Sequence, residues 1–364
     1  MSAIDRTHDV SVSSWVASAN RADTDFPVQN LPFGVFRLRG SADPARCGIA
    51  IGDQILDVSC ATGAFSGAAR EVAQACAGTS LNSLMQMPAQ SLAAFRLQVF
   101  DLLSEASIDG PQRLGAALVP MQAVEMVLPV QVAGYTDFFA SVHHATNAGR
   151  LFRPDQPLLP DYKYVPVGYN GRAASVQISG EPVRRPQGQL RLAGTDAPAY
   201  LPCERLDHEV ELGLFVGAGS RRGTPISVGD AWHHVFGVCL LNDWSARDIQ
   251  VWEAQPLGPF LAKSFATSVS PWIVTAAALA PFRCPAAPRG VGDPAPLPYL
   301  WDAADQSEGG VHIEIDALLS SSRMRSLGMA EHRLSRSDSA SLYWTPAQML
   351  AHHTSNGAYL QTGD

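Results

Sequence analysis

The chain has 364 residues, 46% hydrophobic and 16% charged, so it is long enough to bury a large core as one or two domains. Its formal net charge of -8 and its lack of a Lys/Arg cluster argue against nucleic acid as a partner. The polar first residues, the six cysteines without a C-x-x-C pair and the absence of a long unbroken apolar run predict a cytoplasmic protein that neither crosses nor binds a membrane.

The first 125 residues carry the signals of a small domain with strands and helices. Apolar runs at 33–37 and 47–58 predict strands, whereas Ala- and Leu-rich stretches at 66–77 and 92–105 predict helices. Apolar alternation restarts at Val124, and polar residues suited to catalysis follow directly. We therefore predict one domain at 1–125 and a second at 126–364.

Strand signals dominate the second domain. Short runs rich in β-branched residues are separated by Gly- and Pro-containing turns, at 174–178, 210–216, 235–241, 272–274 and 311–319. The Pro-rich segment 285–298 predicts a loop, and Thr345-Pro346 predicts the start of a short helix that ends near His353. The sequence predicts a β-rich unit.

An acid and a histidine pair lie close together at the start of this domain. Asp137 precedes His143 and His144 by six and seven positions. Such a group serves either metal binding or general-base chemistry.

Two glutamates lie on the polar face of the run at 206–216. Apolar residues alternate from Val210 to Val216, so Glu209 and Glu211 share the opposite face of the predicted strand. Two adjacent carboxylates repel each other, and a divalent cation removes that conflict. The alternative is a pair of glutamates that face solvent.

Further polar groups follow the run at 235–241. Asp243 is predicted to begin a helix with Arg247 and Gln250 on the same face, where it serves either a site or only a helix cap with an ion pair. Lys263 lies among apolar residues, so it either needs an anionic partner or extends to solvent. Because the candidate ligands are mostly carboxylates, Mg²⁺, Ca²⁺ or Mn²⁺ is favoured over zinc.

Several long segments resemble one known family, and they are spread over nearly the whole chain. They run from Asp25 to Phe36, His144 to Asn147, Val165 to Arg172, Ser179 to Pro186, Asn242 to Gln250, Leu257 to Phe265 and Ser270 to Trp272. In these segments the chain resembles the fumarylacetoacetase, or fumarylacetoacetate hydrolase, family. The resemblance implies a mainly β (α+β) fold, with an N-terminal SH3-like barrel followed by a mixed β-roll catalytic domain, and a homodimer.

The resemblance also assigns roles to individual residues. The implied metal ligands are Asp137, Glu209, Glu211 and Asp243, with Lys263 and Thr267 beside or in a second cation site. His144 matches the catalytic base, and the group that stabilises the oxyanion is Arg247, Gln250 and Lys263. The positions that face substrate are Phe139, Arg153, Tyr169, Gln250 and Ala254. The family usually has tyrosine at positions 139 and 254 and histidine at position 170, where this chain has Phe139, Ala254 and Asn170.

The implied reaction is hydrolysis of a carbon–carbon bond in 4-fumarylacetoacetate to fumarate and acetoacetate, with Ca²⁺ or Mg²⁺ as cofactor. This reaction is the last step of tyrosine and phenylalanine degradation. The altered pocket positions leave two alternatives, an enzyme for another acylpyruvate or β-diketo acid and a catalytically silent relative that binds a metabolite. Since the family pattern continues past Asp364 with a threonine that binds substrate and a glutamate that orients the histidine, we expect a natural chain longer than 364 residues.

Overall fold

A sheet flanked by helices forms the first third of the molecule. The computed structural model describes residues 4–364, apart from the side chain of Phe152. Five strands form an antiparallel sheet in the order β4-β3-β2-β1-β5, namely β1 (Phe33–Leu38), β2 (Arg46–Ile51), β3 (Gln54–Asp57), β4 (Leu118–Pro120) and β5 (Val124–Val127). Four helices lie between β3 and β4, namely α1 (Gly67–Ala75), α2 (Asn82–Met85), α3 (Ala89–Leu103) and α4 (Gly110–Leu114).

Both faces of this sheet are covered. Val35 and Ile49 pack with Phe95 of α3 in the largest core cluster, while Phe36 and Ile55 lie in a separate cluster on the other face. Because its first four residues are all buried, β1 has no solvent-facing position until Arg37. The strands and helices expected in this region are confirmed, except that the run at 47–58 divides into β2 and β3 at a turn where Gly52 has a φ of 56°.

The remainder of the chain is built around one sheet with two long strands. β11 (Leu206–Val216) pairs with β12 (Val235–Ala246), β12 with β13 (Thr267–Val269) and β14 (Val274–Thr275), and β13 with β8 (Val176–Ile178). Two-stranded ribbons surround it, composed of β6 (Thr136–Phe138) with β7 (Gly168–Asn170), β9 (Gln187–Leu190) with β10 (Ala199–Pro202), β15 (Arg283–Cys284) with β16 (Gly310–Val311), and β17 (Glu314–Leu319) with β18 (His332–Asp338). The helices of this part are α5 (Val142–Phe152), α6 (Val228–Ala231), α7 (Arg247–Glu253), α8 (Ala303–Glu308), α9 (Ser322–Ser326) and α10 (Pro346–Thr354).

Four predictions for the second part were wrong in detail. The strands expected at 174–178 and 272–274 begin only at Val176 and Val274. Asp243 does not begin a helix: β12 continues through it to Ala246, because β11 supplies backbone partners beyond the apolar run, and α7 begins only at Arg247. The run at 311–319 is two strands, β16 and β17, with different partners. With its ten helices the described chain is mixed α/β. Within residues 4–364, none of the helices has the length and apolar character that a bilayer crossing requires.

The two parts of the chain share one hydrophobic core. Phe33 of β1 exchanges two backbone hydrogen bonds with Ile273, with N···O distances of 3.0 and 2.8 Å. Its ring also lies 5.9 Å from that of Phe236 on β12, centroid to centroid. The largest core cluster therefore includes residues of β1, α3, β12 and β13. Burial of these side chains stabilises both parts together.

A buried cap fixes α10 against α8. Thr345 accepts a hydrogen bond from the backbone N–H of Gln348, and the Gln348 side chain accepts one from the backbone N–H of Thr345. The Thr345 hydroxyl also lies 3.0 and 2.9 Å from the two carboxyl oxygens of Asp305 on α8. The predicted helix start at Thr345-Pro346 is confirmed, and this cap ties it to a second helix.

Candidate metal centre

Four carboxylates converge from three strands. Asp137 lies on β6, Glu209 and Glu211 on β11, and Asp243 on β12, and one oxygen from each lies within 4.8 Å of the others. Alternation along β11 puts both glutamates on one face, as predicted, and strand pairing places Glu209 directly opposite Asp243. The structure therefore joins four residues that lie up to 106 positions apart.

These carboxylates compete for positive charge. Burial, followed by the charges of Asp137, Glu209 and Asp243, raises the pKa of Glu211 well above its usual range. Burial also raises the pKa of Asp243 to about 7. Burial acts in the same direction on Glu209, but contact with His144 and the charges of Lys263 and Arg247 hold its pKa well below the ordinary range. The cluster is thus short of positive charge on the side of Glu211.

Lys263 supplies part of that charge. Its side chain is 4% exposed, and its Nζ lies 2.9 Å from Glu209 Oε2 and 2.5 Å from Asp243 Oδ2. Burial opposes the charged form, but Glu209 and Asp243 raise the pKa of this amine, which stays protonated. Lys263 therefore points into the site and not to solvent.

Three polar atoms behind the carboxylates lack hydrogen-bond partners. They are Asp243 Oδ1, Thr267 Oγ1 and the hydroxyl oxygen of Tyr135, all buried, and the last two lie near each other without good hydrogen-bond geometry. Thr267 lies directly opposite Asp243 on the neighbouring strand. Buried polar atoms are nearly always satisfied by protein, water or an ion, and oxygen ligands of this kind suit a hard divalent cation. The donor set therefore fits a cation such as Mg²⁺ or Ca²⁺.

His144 lies at the edge of the cluster. Ser141 caps α5 by accepting a hydrogen bond from the backbone N–H of His144 at 3.3 Å, which fixes the first turn that carries the imidazole. The Nε2 atom lies 3.6 Å from Glu209 Oε1, and 42% of the side chain is exposed. The imidazole is therefore open both to the cleft and to water.

Arg247 and Gln250 lie on the other side of Glu209. Arg247 Nη1 is 2.8 Å from Glu209 Oε1 and 3.2 Å from Gln250 Oε1, and Arg247 Nε donates to Asp207 Oδ2 at 2.8 Å. Burial opposes this charge too, but Glu209 and Asp207 raise the pKa of Arg247. Arg247 and Gln250 therefore lie together beside Glu209, which is the strand partner of Asp243, although α7 begins later than predicted.

The predicted substrate positions surround one cleft of about 1560 Å³. Phe139, Arg153, Gln250 and Ala254 line it, and Asn170 lies at the same wall. Tyr169, opposite Asp137 on β7, has its hydroxyl 3.5 Å from Asp243 Oδ2, and burial raises its pKa far enough to keep it protonated. Asp243 and Thr267 are fully buried behind the cleft.

Sequence reasoning missed the role of Asp207 and the partner of His353 in this region. Asp207, which holds Arg247, occupies the same face of β11 as Glu209 and Glu211, so the alternation that revealed the glutamates also signalled it. His353 Nε2 lies 2.8 Å from Thr136 Oγ1 and holds the strand that carries Asp137. Since 217 positions separate that pair, no local pattern could have found it.

Comparisons with known proteins match both parts of the chain. Residues 29–129 match the family described as "Fumarylacetoacetase N-terminal", and residues 134–364 match "Fumarylacetoacetate (FAA) hydrolase C-terminal". The fumarylacetoacetase of Oryza sativa subsp. japonica is 44% identical over 347 residues, or 93% of this chain and 79% of that protein. Those of Mus musculus and Homo sapiens are 43% and 42% identical over 348 residues, each covering 94% of this chain and 80% of the relative.

Solved structures show a similar fold. A putative HpcE protein from Mycobacterium smegmatis is 21% identical, with a TM-score of 0.50, and the match covers 91% of this chain and 84% of that one. At this identity the likeness supports the fold alone.

Proposed function

The chain belongs to the fumarylacetoacetate hydrolase family, and from that membership we propose that it hydrolyses a carbon–carbon bond of 4-fumarylacetoacetate to give fumarate and acetoacetate. The observation that carries the proposal is the identity of 42% to 44% with curated fumarylacetoacetases over more than nine-tenths of the chain. The carboxylate cluster, His144 and the cleft agree with it, since together they offer a cation site, a base and room for a diketo acid.

We assign the cation site to Asp137, Glu209, Glu211 and Asp243, with Lys263 and Thr267 beside it. A bound divalent cation would supply positive charge to the diketo oxygens and to the enolate that develops as the bond breaks. Lys263 offsets part of the negative charge of the cluster, and a bound cation would offset more of it, which would favour the ionised form of all four carboxylates.

The remaining roles follow from position in the cleft. His144 takes a proton from water at its imidazole nitrogen, and the hydroxide so formed attacks the ketone next to the scissile bond. Arg247, Gln250 and Lys263 donate hydrogen bonds to the oxygen on which charge develops, and such a donor contributes roughly 3 kcal/mol in other enzymes. The substrate is oriented by residues along the cleft wall, namely Arg153, Tyr169, Phe139 and Ala254.

The direct test uses two neighbouring histidines on α5. Purified protein is mixed with 4-fumarylacetoacetate and Mg²⁺ or Ca²⁺, and loss of the diketo absorbance is followed with and without a chelator. We expect His144→Gln to lower kcat by at least about a hundredfold, since it removes the base. His143→Gln, the matched control, keeps its activity. Turnover that survives both the chelator and His144→Gln would contradict the proposal.

The cation is tested apart from turnover. We expect Glu211→Gln to weaken Mg²⁺ and Ca²⁺ binding by at least roughly tenfold, because it removes one ligand charge from a buried site. Titration calorimetry with each ion measures the affinity and shows which ion is preferred. Glu71→Gln, an exposed change on α1, serves as the control. Equal affinities in both variants would remove Glu211 from the ligand set.

A second candidate is hydrolysis of another acylpyruvate or β-diketo acid. Phe139 and Ala254 line the cleft without the hydroxyls that the family usually presents there, which favours a larger or less polar group. A substrate panel ranked by kcat/KM decides between the two. Binding of these acids without turnover would favour a silent relative instead.

We also propose the finer features that family membership implies. They are an SH3-like barrel within 1–125, a β-roll within 126–364, a homodimer, a cytoplasmic location and a place in tyrosine and phenylalanine degradation. The family segments at 29–129 and 134–364 support the division between the domains. Sedimentation velocity tests the dimer, and a single monomeric species at micromolar concentration would contradict it.

A further inference from the structure

An aromatic cluster lies against the outer side of His144. The ring of Phe139 contacts the imidazole edge to face, with centroids 5.1 Å apart and an interplanar angle of 89°. The ring of Tyr162 contacts Phe139 in the same way, at 6.0 Å and 89°. Both distances fall in the range that aromatic pairs prefer. The three rings therefore form a row of edge-to-face contacts, with the exposed imidazole of His144 at one end and Tyr162 at the other.

The hydroxyl of Tyr162 fixes one end of this row of rings through a hydrogen bond. Tyr162 is 3% exposed, and its hydroxyl donates a hydrogen bond of 2.9 Å to the backbone carbonyl of Phe139. A buried hydroxyl is costly unless it is bonded, so this contact determines where the Phe139 peptide rests. Burial also raises the pKa of Tyr162, which keeps the hydroxyl a donor.

The backbone around Phe139 is held at several points. The Phe139 N–H donates to Val167 O at 2.8 Å, and the Tyr343 N–H donates to Ala140 O at 3.0 Å. The Phe139 carbonyl between these points is held by the Tyr162 side chain. The same peptide is also held through the Ala140 N–H, which donates to Phe138 O at 2.9 Å, so loss of the Tyr162 bond loosens it at the carbonyl and lets the ring of Phe139 shift.

The imidazole touches this ring and, more loosely, Glu209. The 3.6 Å from His144 Nε2 to Glu209 Oε1 is longer than a hydrogen bond. Resting on the proposed role of His144 as base, we propose that Tyr162 is a positioning residue that fixes the Phe139 ring and thereby orients the His144 imidazole. It acts without touching the substrate or the carboxylate cluster.

Kinetics of two tyrosine variants test the proposal. Tyr162→Phe keeps the ring and removes the bond to Phe139, so kcat falls by roughly tenfold, the factor that one net hydrogen bond supports, while KM changes less than about twofold. Tyr299→Phe is the control, because its hydroxyl also takes part in a hydrogen bond, at 3.0 Å to His352 Nδ1, and its ring contacts neither Tyr162 nor Phe139. It leaves kcat unchanged. Equal kcat in Tyr162→Phe and the wild type overturns the proposal.

A double variant isolates the path through the ring. In Phe139→Leu the ring is gone, so adding Tyr162→Phe lowers kcat no further. Full additivity of the two losses would show that Tyr162 acts by another route and would overturn the proposal.

A spectroscopic readout separates this inference from the proposed function. The imidazole C–H signals of His144, assigned by their loss in His144→Gln, shift in Tyr162→Phe and stay in place in Tyr299→Phe. This measurement needs no turnover, so it holds even if fumarylacetoacetate is not the substrate. Unchanged His144 signals in Tyr162→Phe overturn the proposal whatever the protein hydrolyses.

Discussion

Lys263 is the residue whose loss should most disturb the carboxylate cluster. We expect Lys263→Met to lower the free energy of unfolding by about 3 kcal/mol in the presence of a chelator, because it leaves Glu209 and Asp243 buried without their shared partner. The loss is limited because Asp243, with a pKa near 7, can take up a proton. Urea unfolding at pH 7.5 measures the change.

Lys163 provides the control for Lys263. It pairs with Asp293, but 36% of its side chain is exposed, so Lys163→Met should cost at most about 1 kcal/mol. Saturating Mg²⁺ should restore stability to Lys263→Met more than to the control, since a cation replaces part of the missing charge. Equal losses in the two variants would show that Lys263 is not what stabilises the cluster.

Some site residues could be predicted from the sequence alone and others could not. Glu209 and Glu211 are two apart on one strand, so alternation alone placed them together. Asp137 and His144 reach the same point only because β6 and α5 pack beside β11, which no local spacing encodes. The family resemblance predicted that these residues belong to one site. It also predicted Thr267, whose unsatisfied hydroxyl is visible only in the structure.

The cap between α10 and α8 should make stability depend on pH. Burial raises the pKa of Asp305 to about 6, from 3.8 in a free chain, so the native state binds more protons than the unfolded state between these values. Stability therefore falls as pH rises through that window. Asp305→Asn removes the titration, and its stability relative to the wild type should rise by about 2 kcal/mol from pH 4 to pH 6. Thermal unfolding at several pH values measures the difference.

A pH-independent difference between the two proteins would show that Asp305 does not titrate in this window. Thr345→Val serves as the companion variant. It removes the hydroxyl that contacts Asp305 and caps α10, so it should lower stability at every pH by about 1 kcal/mol or more.

Elements were predicted well where their own residues decide the structure. The Thr345-Pro346 start of α10 is a local signal and was confirmed. The end of β12 was predicted too early. Asn242, Asp243 and Trp244 are polar or bulky, but they remain extended because β11 pairs with them. Tertiary pairing overrode local preference there.

Because the two parts share one core, we expect the described chain to unfold as one cooperative unit. Ile273 is fully buried and joined to Phe33 by two backbone bonds, so Ile273→Ala should cost about 2 to 5 kcal/mol and loosen β1 and β12 together. Hydrogen exchange read by mass spectrometry should show faster exchange in both strands. Leu318→Ala, at a site 55% exposed, should change neither. Faster exchange confined to residues 126–364 would contradict a common unit.

The face-to-face placement of Glu209 and Asp243 has a consequence for how the chain folds. A slip of one residue between β11 and β12 would turn Asp243 to the opposite side of the sheet and bring Asn242 or Trp244 among the glutamates. A misaligned sheet would then lack one ligand and bind the cation more weakly. A cation present during refolding therefore favours the correct strand register over registers shifted by one residue. The yield of native protein should rise with the cation concentration.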